Sequence, residues 1–157
     1  MQDCQNTEQV TEMLRSHVER ALQSIWEQTD LVVDDDGDYP FRSQTAACWV
    51  RVVGGEQPAV RVFAQAAYGV PSTKKVLEEI TDLNGRSRWA RISWSHGVVV
   101  VDESIHWLSV DRCSIERAME SVMVVSDDIG TMIATVHGGE TPFPLDLETA
   151  SSDEDAA

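Results

Sequence analysis

Long hydrophobic runs are missing from this sequence. Its longest apolar stretches are four or five residues, far short of the ~20 a membrane-crossing helix needs, so no membrane span is expected. The opening residues, Met1-Gln-Asp-Cys-Gln-Asn6, lack the basic region and apolar core of a signal peptide. A soluble, cytoplasmic protein is the expectation. Basic residues are scarce: 12 Lys and Arg stand against 27 Asp and Glu, a formal net charge of −15. Such a surface repels phosphate backbones, and counter-ion release needs clustered Lys and Arg. Nucleic-acid binding is therefore not expected. The three cysteines, Cys4, Cys48 and Cys113, form no Cys-x-x-Cys and no Cys/His pattern with zinc spacing, and they read as reduced thiols.

Catalytic signatures are missing too. No Gly-x-Ser-x-Gly and no phosphate-cradling loop occur, and Gly54-Gly55 reads as a turn. An enzyme would have to draw on His96, His106 and the aspartates of 34–38, with Cys48 or Cys113 as nucleophile. Nothing in their order brings them together. The acid-rich Asp34-Asp-Asp-Gly-Asp38 invites a calcium reading. With Gly37 at the sixth position of an EF-hand loop, however, Val32 falls at the first and Ser43 at the twelfth, so the pattern fails. An acidic turn with Gly37 at positive φ is expected instead. No catalytic residue, metal or cofactor is assigned.

What is present is ordinary globular material: 42% hydrophobic and 25% charged over 157 residues, enough for one domain. Val10, Met13, Leu14, Val18, Ala21, Leu22 and Ile25 recur at three- and four-residue steps, which predicts a helix over 7–28. Leu31-Val32-Val33 reads as a short strand before the acidic turn. Residues 46–53 and 59–67 alternate apolar and polar around the loop Gly54–Pro58, as an antiparallel hairpin does. The small alanines late in the second strand would admit a helix closely. A second helix opens at Ser72 or Thr73, carries Val76, Leu77, Ile80 and Leu83 inward, and stops at Asn84-Gly85. Trp89–Trp94, Val98–Val101 and Ile105–Val110 read as extended pieces, with a turn at Ser95–Gly97. From Asp111 or Cys113 a helix of about six turns runs to Gly138-Gly139, with Gly130 marking a bend or close packing.

The expected fold class is α+β: an antiparallel sheet of five to six strands with helices packed on it, in the order α-β-β-β-α-β-β-α. A single domain over 1–139 is followed by an acidic tail, 140–157, largely disordered. That tail holds Glu140, Asp146, Glu148, Asp153, Glu154 and Asp155 and no basic residue.

This order of elements resembles the type III secretion chaperone fold and the YbjN family that shares it. The Asp35–Asp38 turn into a hairpin, the middle helix ending Asp82-Leu-Asn84, the Trp89–Val101 hairpin and the long last helix ending His137-Gly-Gly139 carry the resemblance. It covers roughly residues 5–140. The resemblance implies a non-enzymatic chaperone or adaptor, often homodimeric, that holds a client protein or peptide segment on apolar sheet or helix surface. Aromatics at outward strand positions are the candidate anchors: Trp49, Phe63, Trp94 and Trp107. Core packing is the competing explanation for them. An acidic surface would keep such a chaperone soluble and favour basic clients. The alternative function is an acidic decoy or inhibitor that binds a basic partner protein.

Overall fold

The computed structural model describes residues 2–145. Helix α1 (Gln2–Trp26) is followed by strands β1 (Tyr39–Arg42), β2 (Ala47–Val53) and β3 (Ala59–Ala67). Helix α2 (Lys74–Arg86), strands β4 (Arg91–Ser95) and β5 (Val98–His106), a 3-10 turn (Trp107–Ser109) and helix α3 (Arg112–His137) complete the order. The α-β-β-β-α-β-β-α order and the α+β class are as expected. The five strands form one fully antiparallel sheet in the order β1-β2-β3-β5-β4.

Alternation along the strands, broken by a bulge between Gln65 and Ala67, divides the sheet. Cys48, Val50, Val52, Val60, Val62, Ala64, Ile92, Val99 and Val101 point to one face and are buried. They pack in one core with Leu14, Val18 and Leu22 of α1 and Ile115, Ala118, Val122 and Ile133 of α3. Each Val, Leu or Ile among them contributes about 1.5–3 kcal/mol by leaving water. The alanines of β3 admit α3 closely. A Cβ on Gly130 would collide with the carbonyl oxygen of Ala66, so close packing is the reason for this glycine. Not all residues at helical spacing are covered: Met13, Leu77 and Val136 are exposed.

Helix ends follow local chemistry. Thr73 opens α2, its hydroxyl accepting from the Val76 N–H at 3.2 Å. Asp111 opens α3 with a reciprocal bond to Ser114, satisfying N–H groups that have no intrahelical partner. The expected stop of α2 at Asn84-Gly85 is displaced, because the helix continues to Arg86 and Ser87 caps it in extended conformation. Asn84 acts sideways instead. Its amide donates to the Ile92 carbonyl at 2.6 Å and accepts from the Ile92 N–H at 2.8 Å, which closes the outer edge of β4.

Three extended pieces are corrected. Leu31–Val33 belongs to no strand, and Val32 and Val33 are exposed. The first strand is Tyr39–Arg42, set by Tyr39, which is fully buried and donates to Glu19 at 2.7 Å. Pro40 is tolerated because β1 is an edge strand. Second, Val98–Val101 and the start of Ile105–Val110 are one continuous strand. The polar Asp102-Glu-Ser stretch does not interrupt it, since Asp102 faces Phe63 across the ladder and finds arginine partners there. Third, Trp107–Ser109 of that piece is not extended but forms the 3-10 turn. No helix among the described residues is long and apolar enough to cross a membrane.

Candidate functional site

The helices lie on one side of the sheet, and the other side presents the alternate residues of every strand. Register places Trp49 directly opposite Phe63, and Arg51 directly opposite Arg61. The Trp49 and Phe63 rings stack, with centroids 5.3 Å apart and planes 18° from parallel. The guanidinium carbons of Arg51 and Arg61 sit 4.9 and 5.0 Å from the Phe63 ring centre, an attraction of cation to ring face. Two like charges side by side on neighbouring strands are unfavourable. Each is offset by a carboxylate on its outer flank.

Asp38, next to β1, takes Arg51 with both oxygens, Nε at 2.9 Å and Nη2 at 2.6 Å. This pairing raises the Arg51 pKa above its ordinary value. On the other flank Asp102 accepts from Arg61 Nε at 3.1 Å and from Arg91 Nη2 at 2.9 Å. Both carboxylates are almost completely buried, while the Arg51, Arg61 and Arg91 side chains are 39%, 31% and 71% exposed. The outer layer of this face is thus aromatic ring and guanidinium.

The four candidate anchors separate. Trp49 and Phe63 form the centre of the uncovered face. Trp94 lies on the helix side, half-buried against the core, and its indole N–H donates to the Val70 carbonyl at 3.0 Å. Trp107 packs against the core and lines a groove of about 770 Å³ between α1 and the 3-10 turn, with Met13, Leu14, His17, Leu108 and Val110. Met13 and Leu108 are exposed there.

The residues considered for catalysis are scattered. His96 turns the β4–β5 hairpin at φ 49°. His106 accepts from the Leu108 N–H within the 3-10 turn. Cys48 is buried, and burial pushes its thiol up to about 12, which makes it inert. Cys113 is exposed at the start of α3. In the acidic turn, Gly37 takes φ 82° as expected, and Asp34 Oδ1 accepts from the N–H groups of Asp36 and Asp38. The Asp34, Asp36 and Asp38 oxygens approach within 4.8 Å. Asp34 and Asp38 are nonetheless engaged by protein donors, which is the geometry of a turn.

Sequence reasoning passed over Arg51 and Arg61. The signal was there: they share outward parity with Trp49 and Phe63, and a hairpin centred on Glu56 pairs 49 with 63 and 51 with 61.

No curated protein sequence matches the chain. Among solved structures it is similar to a chain of the ExsC–ExsE complex, with 11% identity, a TM-score of 0.60, and coverage of 75% of this chain and 94% of that one. It is also similar to a chain of the HopA1–SchA chaperone–effector complex, with 12% identity, a TM-score of 0.58 and coverage of 73% and 90%. A third is the Yersinia pestis type III secretion chaperone SycH in complex with a stable fragment of YscM2, with 12% identity, a TM-score of 0.53 and coverage of 76% and 98%. At such identities these likenesses establish the fold. The model of one family, described as T3SS (YopN, CesT) and YbjN peptide-binding chaperone 1, matches residues 12–145. The chain belongs to that family, TY-Chap1.

Proposed function

We propose that the protein is a non-enzymatic, cytoplasmic peptide-binding chaperone that holds an extended client segment across the uncovered face of its sheet. The observation that carries this reading is the stacked Trp49–Phe63 pair at the centre of a face that no helix among the described residues covers. Rings held by cross-strand packing lose little entropy on binding, and aromatic and arginine side chains dominate recognition surfaces. The family's peptide binding and the complexes of its structural neighbours support the same assignment. The active form is a homodimer, with residues 1–139 as the domain; of the acidic 140–157 segment, Glu140 and Phe143 are bonded back to Tyr68 and Thr45.

The test is peptide selection against the full chain, followed by repeat binding with Trp49→Ala and Phe63→Ala together. Affinity is expected to fall by ~2 kcal/mol or more, roughly 30-fold, with the fold kept and a stability loss of about 1 kcal/mol from the lost stacking. Undiminished binding in that variant overturns the sheet-face reading. If the loss appears instead with Met13→Asp and Leu108→Asp, the client lies in the α1 groove. Binding that ignores the aromatic pair and collapses with added salt would establish the acidic decoy. Light scattering on chains with and without 140–157 tests the dimer, and a monomer in both forms removes it.

A further inference from the structure

The charge on the uncovered face runs against the charge of the molecule. Among the acidic residues described, only Asp102 occupies an outward position on a strand, and Asp38 lies on the opposite flank, just before β1. Arginine stands outward on four strands: Arg42, Arg51, Arg61 and Arg91. Resting on the proposal that this face holds the client, we infer that the segment it selects is acidic, with carboxylate side chains alternating with apolar ones.

The arrangement is built for carboxylates. The two buried aspartates hold the guanidiniums in fixed positions without using all their donors. Arg61 bonds Asp102 through Nε alone, and Arg51 and Arg91 each engage Nε and one Nη. A guanidinium has five donors, so oriented N–H groups remain on the solvent side around the ring pair. Asp102 serves two arginines, and Arg42 bonds only carbonyl oxygens, with its guanidinium 3.7 Å from the centre of the Phe143 ring. On the Arg61–Arg91 side two guanidiniums share one carboxylate, which leaves that side positive in an acidic protein. The turn carboxylates Asp34 and Asp36 add negative potential near Arg51, so the client's acids belong on the Arg61–Arg91 side. Distant acids are screened over about 8 Å at physiological salt, whereas guanidiniums in contact are not. The net charge therefore adds little at this face, which selects acidic segments at contact.

Five strands at ~4.8 Å spacing make a face about 20 Å wide, which roughly six or seven extended residues cross. The probes are two labelled peptides of about that length, one alternating Leu and Phe with Glu, the other carrying Lys for every Glu. They are titrated into the full chain at physiological salt and read by anisotropy. The Glu peptide is expected to bind about tenfold or more tightly than the Lys peptide. Arg91→Gln should weaken the Glu peptide by roughly three- to tenfold and leave the Lys peptide unchanged; in that variant Asp102 keeps Arg61. Arg42→Gln, which strips no carboxylate of a partner, should act in the same direction, and circular dichroism checks both folds. Equal or tighter binding of the Lys peptide overturns the inference. If that binding is still lost with Trp49→Ala, the sheet-face reading survives, and if Trp49→Ala has no effect, that reading falls as well. Failure of both peptides to bind also overturns the inference.

Discussion

The two faces of the sheet are drawn from the same strands and differ by a step of one residue. Cys48 and Trp49 are neighbours. The first is fully buried, with a thiol that burial has made inert; the second is half-exposed in a ring stack. The covered face is aliphatic and small, chosen for volume against α1 and α3. The uncovered face carries rings, guanidiniums and buried carboxylates, groups that hold geometry at the edge of water. Stability should reside in the first face and recognition in the second. That separation can be broken by experiment.

The largest expected effect is on the covered face. Gly130→Val drives a branched side chain into the backbone of β3 at Ala66. Helix propensity favours valine over a mid-helix glycine by only about 0.3–0.5 kcal/mol, and a clash with backbone has no rotamer to escape into. Net destabilisation of about 4 kcal/mol or more is expected, read as a lower urea midpoint. An unchanged midpoint would mean that α3 does not sit so close.

Leu22→Ala against Trp49→Ala sharpens the comparison. Leu22 is fully buried, and its truncation should cost ~2–5 kcal/mol by transfer and cavity terms. Truncating Trp49 should cost about 1 kcal/mol in lost stacking while removing most client affinity. Equal losses of stability would show that the faces do not divide their work.

Asp127 of α3 comes next. It ties down the β1–β2 loop, accepting from the Ser43 hydroxyl at 2.6 Å and from the Thr45 N–H and hydroxyl at 2.9 and 2.8 Å. Burial raises its pKa, but these donors outweigh that, and the net shift is below the ordinary 3.8. A carboxyl held lower in the folded state stabilises above the unfolded value and loses that contribution as pH falls through the folded one. Asp127→Asn should cost ~2 kcal/mol at neutral pH and flatten the acid limb of the stability–pH curve. An acid limb unchanged in the variant would remove Asp127 from it.

Much of this architecture was legible because it rests on local period. The three-four spacing of Ile115, Ala118, Met119 and Val122 marks α3, and the Gly54–Pro58 loop fixes the register that sets Trp49 against Phe63. What was not legible depends on pairing across the chain. Leu31–Val33 has strand composition, yet the strand forms at Tyr39, where a buried ring and its Glu19 partner anchor it. The Asp102-Glu-Ser stretch looks like a break until Arg61 and Arg91 are seen beside it. Asp38 and Asp102 enter the candidate site through the β1–β2 and β3–β5–β4 registers, which no local pattern reports. Met13 shares the spacing of the α1 core yet lies in the groove by Leu108, because helix crossing decides which flank of the stripe is covered.

The smallest effect separates the sheet's covered face from its edge. Asn84 satisfies both backbone groups of Ile92 on the outer side of β4, a side that otherwise offers a template for another strand. Asn84→Ala loses two hydrogen bonds, ~1–2 kcal/mol, but gains up to ~0.7 kcal/mol of helix propensity. A net destabilisation of about 1 kcal/mol is expected. The more telling readout is amide exchange: Ile92 N–H should exchange faster in the variant, while Val62 and Val101, deep in the ladder, keep their protection. Chain association should also rise with concentration, since an uncovered edge pairs with its like. If Ile92 exchange is unchanged, the edge is closed by something other than Asn84, and α2 is attached to the sheet through its apolar stripe of Val76, Ile80 and Leu83.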